Sequence, residues 1–432
     1  MNEIAIQLNE KLKGTVALEL MSDFGKRFYF PKGVAAQSTE AKKKAYKFNA
    51  TIGMAFQEGE PYILPSLHKH ISELTPKEAV PYAPTSGLLN LRESWKSQIL
   101  KKNKSLSPES FSLPVVVPGL TNGISQIADL FISEDDNIVL PDMFWGNYTL
   151  IFQGRKQATI KSFSFFTSEG GFNTKGMEEA LITAEKNGKI VLLLNFPNNP
   201  TGYTPTKEEA EEIISIITEL AAKGKKILVV SDDAYFGLFY EENLYSESLF
   251  SRLAQAHENI LAVKVDGTTK EDYAWGFRIG FVSFGNKGMK SESYDALNQK
   301  LTGAIRSSVS NSSRIAQSLL VRMMNSPEYG DEKSTISQQL KQRYKTVKRI
   351  VEHRTTGKAL KVLPFNSGYF MSFYSPTGGT EKLRKHLLNE YGIGTISIQD
   401  AYLRIAYASV DKHEIEELYN LIFEAADTVL GK

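Results

Sequence analysis

The sequence contains no cysteine. That excludes disulfide bridges, thiolate metal sites and cysteine nucleophiles, and it agrees with a cytoplasmic setting. Histidine is scarce, with six in 432 residues. His68 and His70 form the only close pair and have no further ligand candidates beside them, so no metal site is expected. Long apolar runs are also missing. None reaches the roughly 18 residues that a membrane helix needs, and "MNEIAIQLNEKLKGTVALELM" lacks the basic stretch and apolar core of a secretory signal. Charge of one sign is absent too. Lys and Arg total 51 against 49 Asp and Glu, a net +2, so no long-range field calls for nucleic acid or an anionic membrane. Neither an internal repeat nor a low-complexity linker interrupts the chain.

What is present is an alternating pattern. Seven apolar, β-branched runs recur: "LPVVVPG", "NIVLPD", "ATIKSFSF", "KIVLLLNF", "KILVVSDDAY", "ILAVKVDG" and "RIGFVSFG". Helical patterns separate most of them, such as "KEEAEEIISIITELAAKGK" with its stripe of Ile213, Ile214, Ile217 and Leu220. Alternating strands and helices with near-continuous apolar strands predict an α/β fold around a mostly parallel sheet buried on both faces. The last two runs are joined by a short loop and form a candidate antiparallel pair. After about Met289 the pattern changes. A helical region from Ser313 to about His353 leads into "NSGYFMSFYS" and "AYLRIAYAS" as strands, with further helices, which reads as a smaller α+β domain.

Ligands of open α/β sheets bind beyond the carboxyl ends of the strands. "NFPNNPTGYTP", "DDAY", "TTK", "LTNGISQ" and "FWGNY" stand at five such ends. Taken singly, each has a plain reading: Asn199 to Gly202 is a turn, Asp232 a helix cap, Trp145 a core residue, Lys270 a surface lysine. Their joint order is what carries information, together with Lys270 and Arg278 standing eight apart across the loop between two strands.

This set resembles the class I/II aminotransferases of the aspartate aminotransferase fold, over nearly the whole chain from about Asn49. "YAPTSG" is similar to the family's tyrosine-five-glycine motif, at Tyr82 and Gly87. "WGNY" is similar to its ring-stacking motif at Trp145. "NPTG" supplies Asn199, "DDAY" supplies Asp232 and Tyr235, and "LRIAYAS" supplies Arg404. The resemblance implies a pyridoxal-phosphate (PLP) transferase fold with a seven-stranded sheet. It implies residues 1–60 as N-terminal arm and part of the small domain, 61–310 as the large cofactor domain and 311–432 as the small domain. It also implies pyridoxal 5'-phosphate as cofactor, amino acid and 2-oxo acid substrates exchanged by a ping-pong mechanism, and a homodimer with shared sites.

The chemistry then asks for these residue types. Lys270 would form a Schiff base with the cofactor aldehyde and move the substrate Cα proton. Asp232 would keep the pyridine nitrogen protonated, making the ring an electron sink. Asn199 and Tyr235 would bond the ring's 3-oxygen, and Trp145 would stack on its face. For the phosphate, the expected donors are Gly123, Ile124 and Ser125 at a helix N-terminus, with Arg278 as a bidentate clamp and Tyr82 reaching in from the neighbouring subunit. Gly267 occupies the position where many relatives carry a serine, so Thr268 or Thr269 is expected to substitute. Arg404, with Asn199 and Trp145 beside it, would take the substrate carboxylate, under the backbone of Gly53. In "IRSSVSNSS", Arg306 matches the arginine that reads a distal carboxylate across the dimer, although Ser312 and Ser313 replace the family's prolines. A β-eliminating lyase or a cyclopropane-forming synthase shares the lysine, aspartate and arginines. A non-catalytic regulator is disfavoured because no basic helix-turn-helix precedes Asn49.

Overall fold

The structure, a computed structural model, describes residues 1–31, 33–354 and 359–431. Seven strands form the large sheet: β1 (Val115–Val117), β2 (Asn137–Pro141), β3 (Thr159–Phe163), β4 (Lys189–Asn195), β5 (Lys226–Asp232), β6 (Ile260–Asp266) and β7 (Gly280–Gly285). Their spatial order is β1-β7-β6-β5-β4-β2-β3. Pairings among β2 to β6 are parallel, and β7 runs antiparallel to both β6 and β1. The apolar runs explain the sheet. Ile190 to Leu194 on β4 and Ile227 to Val230 on β5 are buried on both faces, and each such side chain contributes about 1.5–3 kcal/mol.

Helices cover the faces. Those used below are α1 (Leu89–Lys102), α2 (Leu120–Phe131), α3 (Lys207–Ala222), α4 (Arg314–Met324) and α5 (Tyr329–His353). Local chemistry sets their ends. At α3, the Thr206 side chain accepts from Glu209 N at 3.2 Å while Glu209 accepts from Thr206 N at 2.9 Å, a reciprocal capping box. The expected helical region from Ser313 to His353 is two helices, because "NSPE" between α4 and α5 includes Pro327, which cannot donate to a continuing helix.

The smaller part is an antiparallel sheet of β8 (Lys361–Val362), β9 (Met371–Tyr374), β10 (Ile396–Ile398) and β11 (Tyr402–Ile405), in the order β8-β9-β11-β10. Helices Thr380–Glu390 and Ile415–Leu430 pack together beside it. The N-terminal segment joins this part: Phe48 and Asn49 pair in parallel with Ile393 and Gly394. Helix α4 packs on α1 and on helix Pro65–His70, whereas α5 packs on Ile415–Leu430. At about 1.5 Å per residue, the 25 residues of α5 make a rod of roughly 37 Å that touches both parts.

Candidate active site

Strand direction brings the site together. Asn195, Asp232 and Asp266 end β4, β5 and β6 on one edge of the sheet, with Asn195 paired to Asp232 in register. Since β7 runs the other way, its start lies at that same edge, and Arg278 stands just before it. This is why a lysine after β6 and an arginine before β7 reach one place. A cavity of about 220 Å³ there is lined by Trp145, Asn199, Asp232, Tyr235, Lys270 and Arg278, with Leu120, Thr121 and Thr269.

Lys270 sits in the one-turn helix Thr268–Glu271. Its Nζ lies 4.9 Å above the Tyr235 ring, and the Tyr369 hydroxyl, from the segment leading into β9, donates to its carbonyl at 2.9 Å. Burial pulls the ammonium down to about 8; Arg278 adds to this and Asp232 opposes it. Asp232 is buried, and burial raises its carboxyl to about 6 against the pull of Tyr148 and Lys270. The Tyr148 hydroxyl donates to Asp232 Oδ2 at 2.5 Å and Ala234 N donates to Oδ1 at 3.2 Å. Asn195 Nδ2 donates to the Asp232 carbonyl at 2.7 Å, and its Oδ1 accepts from Asn199 N at 2.9 Å, tying two strand ends together. Burial also raises the Tyr235 hydroxyl, so it stays protonated.

Arg404 on β11 enters from the small part. Its Nη1 donates to Asn199 Oδ1 at 2.9 Å and its Nη2 to the Thr51 carbonyl at 2.8 Å, while the guanidinium lies 4.4 Å from the Phe370 ring centre. Arg404 Nε is buried without a partner. A second cavity of about 250 Å³ shares Trp145 and Asn199 with the first and is lined further by Arg404, Gly33, Val34, Asp142 and Tyr402. Gly53 lies close to Tyr235; a Cβ there would stand 3.4 Å from Tyr235 Oη and from Phe370.

The three residues expected as anion donors, Gly123, Ile124 and Ser125, do not line the cavity, whereas Leu120 and Thr121 do. α2 begins at Leu120, with Gly119 as its cap at φ 85°. Gly123 is already in the second half-turn, its N–H bonded to the Gly119 carbonyl at 3.2 Å, and its Cα faces Val117, Val265 and Val282. Ile124 is buried in the helix, and neither it nor Gly123 nor Ser125 lines the cavity. The helix N-terminus that meets the cavity belongs to Leu120 and Thr121. A Cβ on Gly119 would fall 2.4 Å from Arg278 Nη2, so glycine lets the guanidinium lie against this turn. Arg278 takes a left-handed backbone, φ 55°, which folds its side chain back toward Gly119, with Nη1 donating to the Trp275 carbonyl at 3.3 Å. Thr269 lines the cavity and Thr268 does not; both hydroxyls are buried without partners. Tyr82 is 90% exposed, and Arg306 is exposed with Nη1 on Ser310 Oγ at 2.6 Å; neither lines the cavity of its own chain.

The family profile described as "Aminotransferase class I and II" matches residues 53–422. The chain belongs to the class I and II aminotransferases, a PLP-dependent family. It is 25% identical over 393 residues to a probable aspartate/prephenate aminotransferase of Aquifex aeolicus, covering 87% of this chain and 92% of that one. It is 26% identical over 250 residues to an aspartate aminotransferase of Bacillus sp. strain YM-2; that match spans only 57% of either protein. The crystal structure of an aminotransferase from Anaerococcus prevotii superposes with a TM-score of 0.83 at 23% identity, over 94% of this chain and 99% of that one.

The cavity suits the family's cofactor on its own chemistry. An amine for an aldehyde, a carboxylate at the end of β5, and an anion cradle of Arg278, the α2 N-terminus and the unpartnered Thr269 hydroxyl converge on it. Sequence reading missed Tyr148, Leu120, Thr121 and Asn195. Tyr148 stands three residues beyond Trp145, yet nothing in the sequence says that its hydroxyl faces β5.

Proposed function

We propose that this class I and II aminotransferase moves an amino group between an L-amino acid, aspartate- or glutamate-like or aromatic, and a 2-oxo acid. What carries the reading is the single cavity that joins Lys270, Asp232, Asn199, Tyr235, Trp145 and Arg278, with Arg404 reaching Asn199 at its rim. Relatives named as aspartate, aspartate/prephenate and aromatic-amino-acid aminotransferases support the substrate class.

In this reading Lys270 anchors the cofactor and exchanges a proton with the substrate Cα. An ammonium drawn down to about 8 leaves part of the amine free to accept a proton at neutral pH. When bound, the cofactor supplies an aldehyde that bonds to amines and a ring that takes up electron density from Cα. Asp232 holds the proton at the ring nitrogen, with Tyr148 and Ala234 N fixing the carboxylate's orientation. Asn199 and Tyr235 orient the ring oxygen, and Trp145 covers the ring face. Arg278, the N–H groups of Leu120 and Thr121, and the Thr269 hydroxyl bind the phosphate. Arg404 takes the substrate carboxylate; its buried, unpartnered Nε–H is a donor waiting for an acceptor. Tyr82 and Arg306, exposed on this chain, would serve the partner's site in a cytoplasmic homodimer, Tyr82 at the phosphate and Arg306 at a distal carboxylate.

The test is a screen of the cofactor-loaded protein against the common amino acids, read by absorbance. A band that shifts with one amino acid and returns with a 2-oxo acid indicates transamination. Pyruvate and ammonia released without an acceptor would indicate the β-eliminating lyase instead.

A further inference from the structure

Asp232 and Lys270 are each followed directly by an acid, and both acids enter one buried network of alternating charge. Asp233 pairs with Lys264, which is fully buried, and Lys264 also lies 3.4 Å from Asp266. The Ser248 hydroxyl donates to Asp233 at 2.6 Å and Trp95 Nε1 donates to Asp266 at 2.9 Å. Lys102, at the end of α1, pulls on Asp266 electrostatically and donates to both Glu271 oxygens at 2.9 Å. Lys333, in the first turns of α5, donates to Glu271 at 2.7 Å and to Asp272 at 2.9 Å. The Tyr329 hydroxyl closes the row on Asp272 at 2.6 Å.

The charges therefore alternate Asp233, Lys264, Asp266, Lys102, Glu271, Lys333, Asp272, in direct contact at every step but Asp266 to Lys102, where the attraction acts without an ion pair. Four acids and three bases from β5, β6, the Lys270 turn, α1 and α5 are joined behind the cavity without lining it. Packing of the fold does not demand such a row. Buried ion pairs are weak sources of stability compared with apolar replacements, whereas each one fixes the direction of the backbone that carries it.

We infer that this ionic row is a positioning element. It sets the turns bearing Asp232 and Lys270 relative to each other and ties the Lys270 turn, through Lys333, to the helix that spans both parts of the chain. None of its members touches the reacting atoms, so they act as positioning residues. The inference rests on the aminotransferase reading above.

The decisive variant is Lys333→Met, compared with Lys333→Arg. Misplacing a reacting group by a fraction of an ångström to an ångström costs up to about a hundredfold in rate. Lys333→Met is therefore expected to lower kcat by about tenfold or more with KM little changed, and to weaken binding of pyridoxal 5'-phosphate in equilibrium dialysis. Lys333→Arg, which keeps the charge and both acceptors, is expected to recover most of both. If Lys333→Met does not fold, the paired variant Lys333→Met/Asp272→Asn serves, because it removes one charge of each sign and leaves Glu271 paired with Lys102; the same loss is expected of it. A lower melting temperature with cofactor affinity and kcat unchanged overturns the inference, as does an Arg variant that folds yet restores neither. Wild type and Lys270→Ala run alongside: borohydride fixing cofactor to wild type alone upholds the underlying reading, and its failure to do so sinks that reading independently of Lys333.

Discussion

Asp232 offers a prediction in which function and stability pull in opposite directions. The carboxyl is 3% exposed at the end of β5, and burial lifts it from an ordinary 3.8 to about 6. A carboxyl whose folded pKa exceeds its unfolded one binds its proton more firmly when folded. Folding is then penalised above about pH 6, where both states are ionised, and the penalty fades as pH falls through 6 toward 3.8. The difference between 3.8 and about 6, at about 1.4 kcal/mol per pH unit, is worth about 3 kcal/mol at pH 8. Asp232→Asn removes the charge and keeps an oxygen for the Tyr148 hydroxyl. Its new N–H₂ then faces the Ala234 N–H, itself a donor, which returns about 1–2 kcal/mol. The cofactor-free variant should therefore be about 1–2 kcal/mol more stable than wild type at pH 8. At pH 4.5 that advantage should shrink by about 2 kcal/mol. Urea midpoints of the cofactor-free proteins at the two pH values measure this directly. The same variant should lose amino-group transfer by orders of magnitude. A midpoint difference that is equal at both pH values, or larger at pH 4.5, would refute the claim that a buried charge at Asp232 is held against folding.

Four further outcomes are expected. Lys270→Ala should still bind pyridoxal 5'-phosphate non-covalently, but borohydride should leave none on the chain, and turnover near the wild-type rate would show the assignment to be wrong. Asp233→Ala removes the nearer of the two carboxylates beside the fully buried Lys264 ammonium, leaving Asp266 at 3.4 Å, and should destabilise by up to about 3–5 kcal/mol, measured by urea unfolding, while Asp233→Asn/Lys264→Met recovers most of that. Gly119→Ala should weaken cofactor binding more than a surface glycine substitution does, since its Cβ meets Arg278 Nη2 at 2.4 Å; unchanged affinity in dialysis would place the phosphate elsewhere. Arg306→Ala should lower kcat/KM for aspartate by about 10- to 150-fold, the worth of a charged hydrogen bond, and spare phenylalanine; a parallel decline would give Arg306 a structural role.

The legible part of the fold was what periodicity and composition control. Seven apolar runs mark seven strands, and the absence of a long helical pattern between "ILAVKVDG" and "RIGFVSFG" marks the antiparallel pair β6–β7. The break in the helical region at Pro327 was legible in principle from the residue's missing N–H and from the polar stretch "NSPE" around it. At the site, the residues at strand ends were legible because β-strand direction delivers them to one edge wherever the register falls. Side-chain direction was not. Thr268 and Thr269 are adjacent and chemically alike, and only the handedness of the one-turn helix decides that Thr269 meets the cavity.

The start of α2 at Leu120, not at Gly123, shows the same limit from another side. "PGLTNGISQ" has two glycines, each a reasonable place for a chain to turn into a helix. Gly123 looks the better start when polar neighbours are weighed, since Asn122 and Ser125 flank it. Tertiary packing favours Gly119. At that position the backbone needs φ 85°, which a side chain resists, and Arg278 occupies the space where a Cβ would go. Gly123 is small for a different reason: a Cβ there would come within 3.0–3.2 Å of Val117, Val265 and Val282, so its smallness lets α2 lie close on the sheet. One glycine serves the bend at the cavity and the other serves helix-on-sheet packing. Distinguishing them required knowing that Arg278, 159 positions further along the chain (278 − 119 = 159), returns to the same turn.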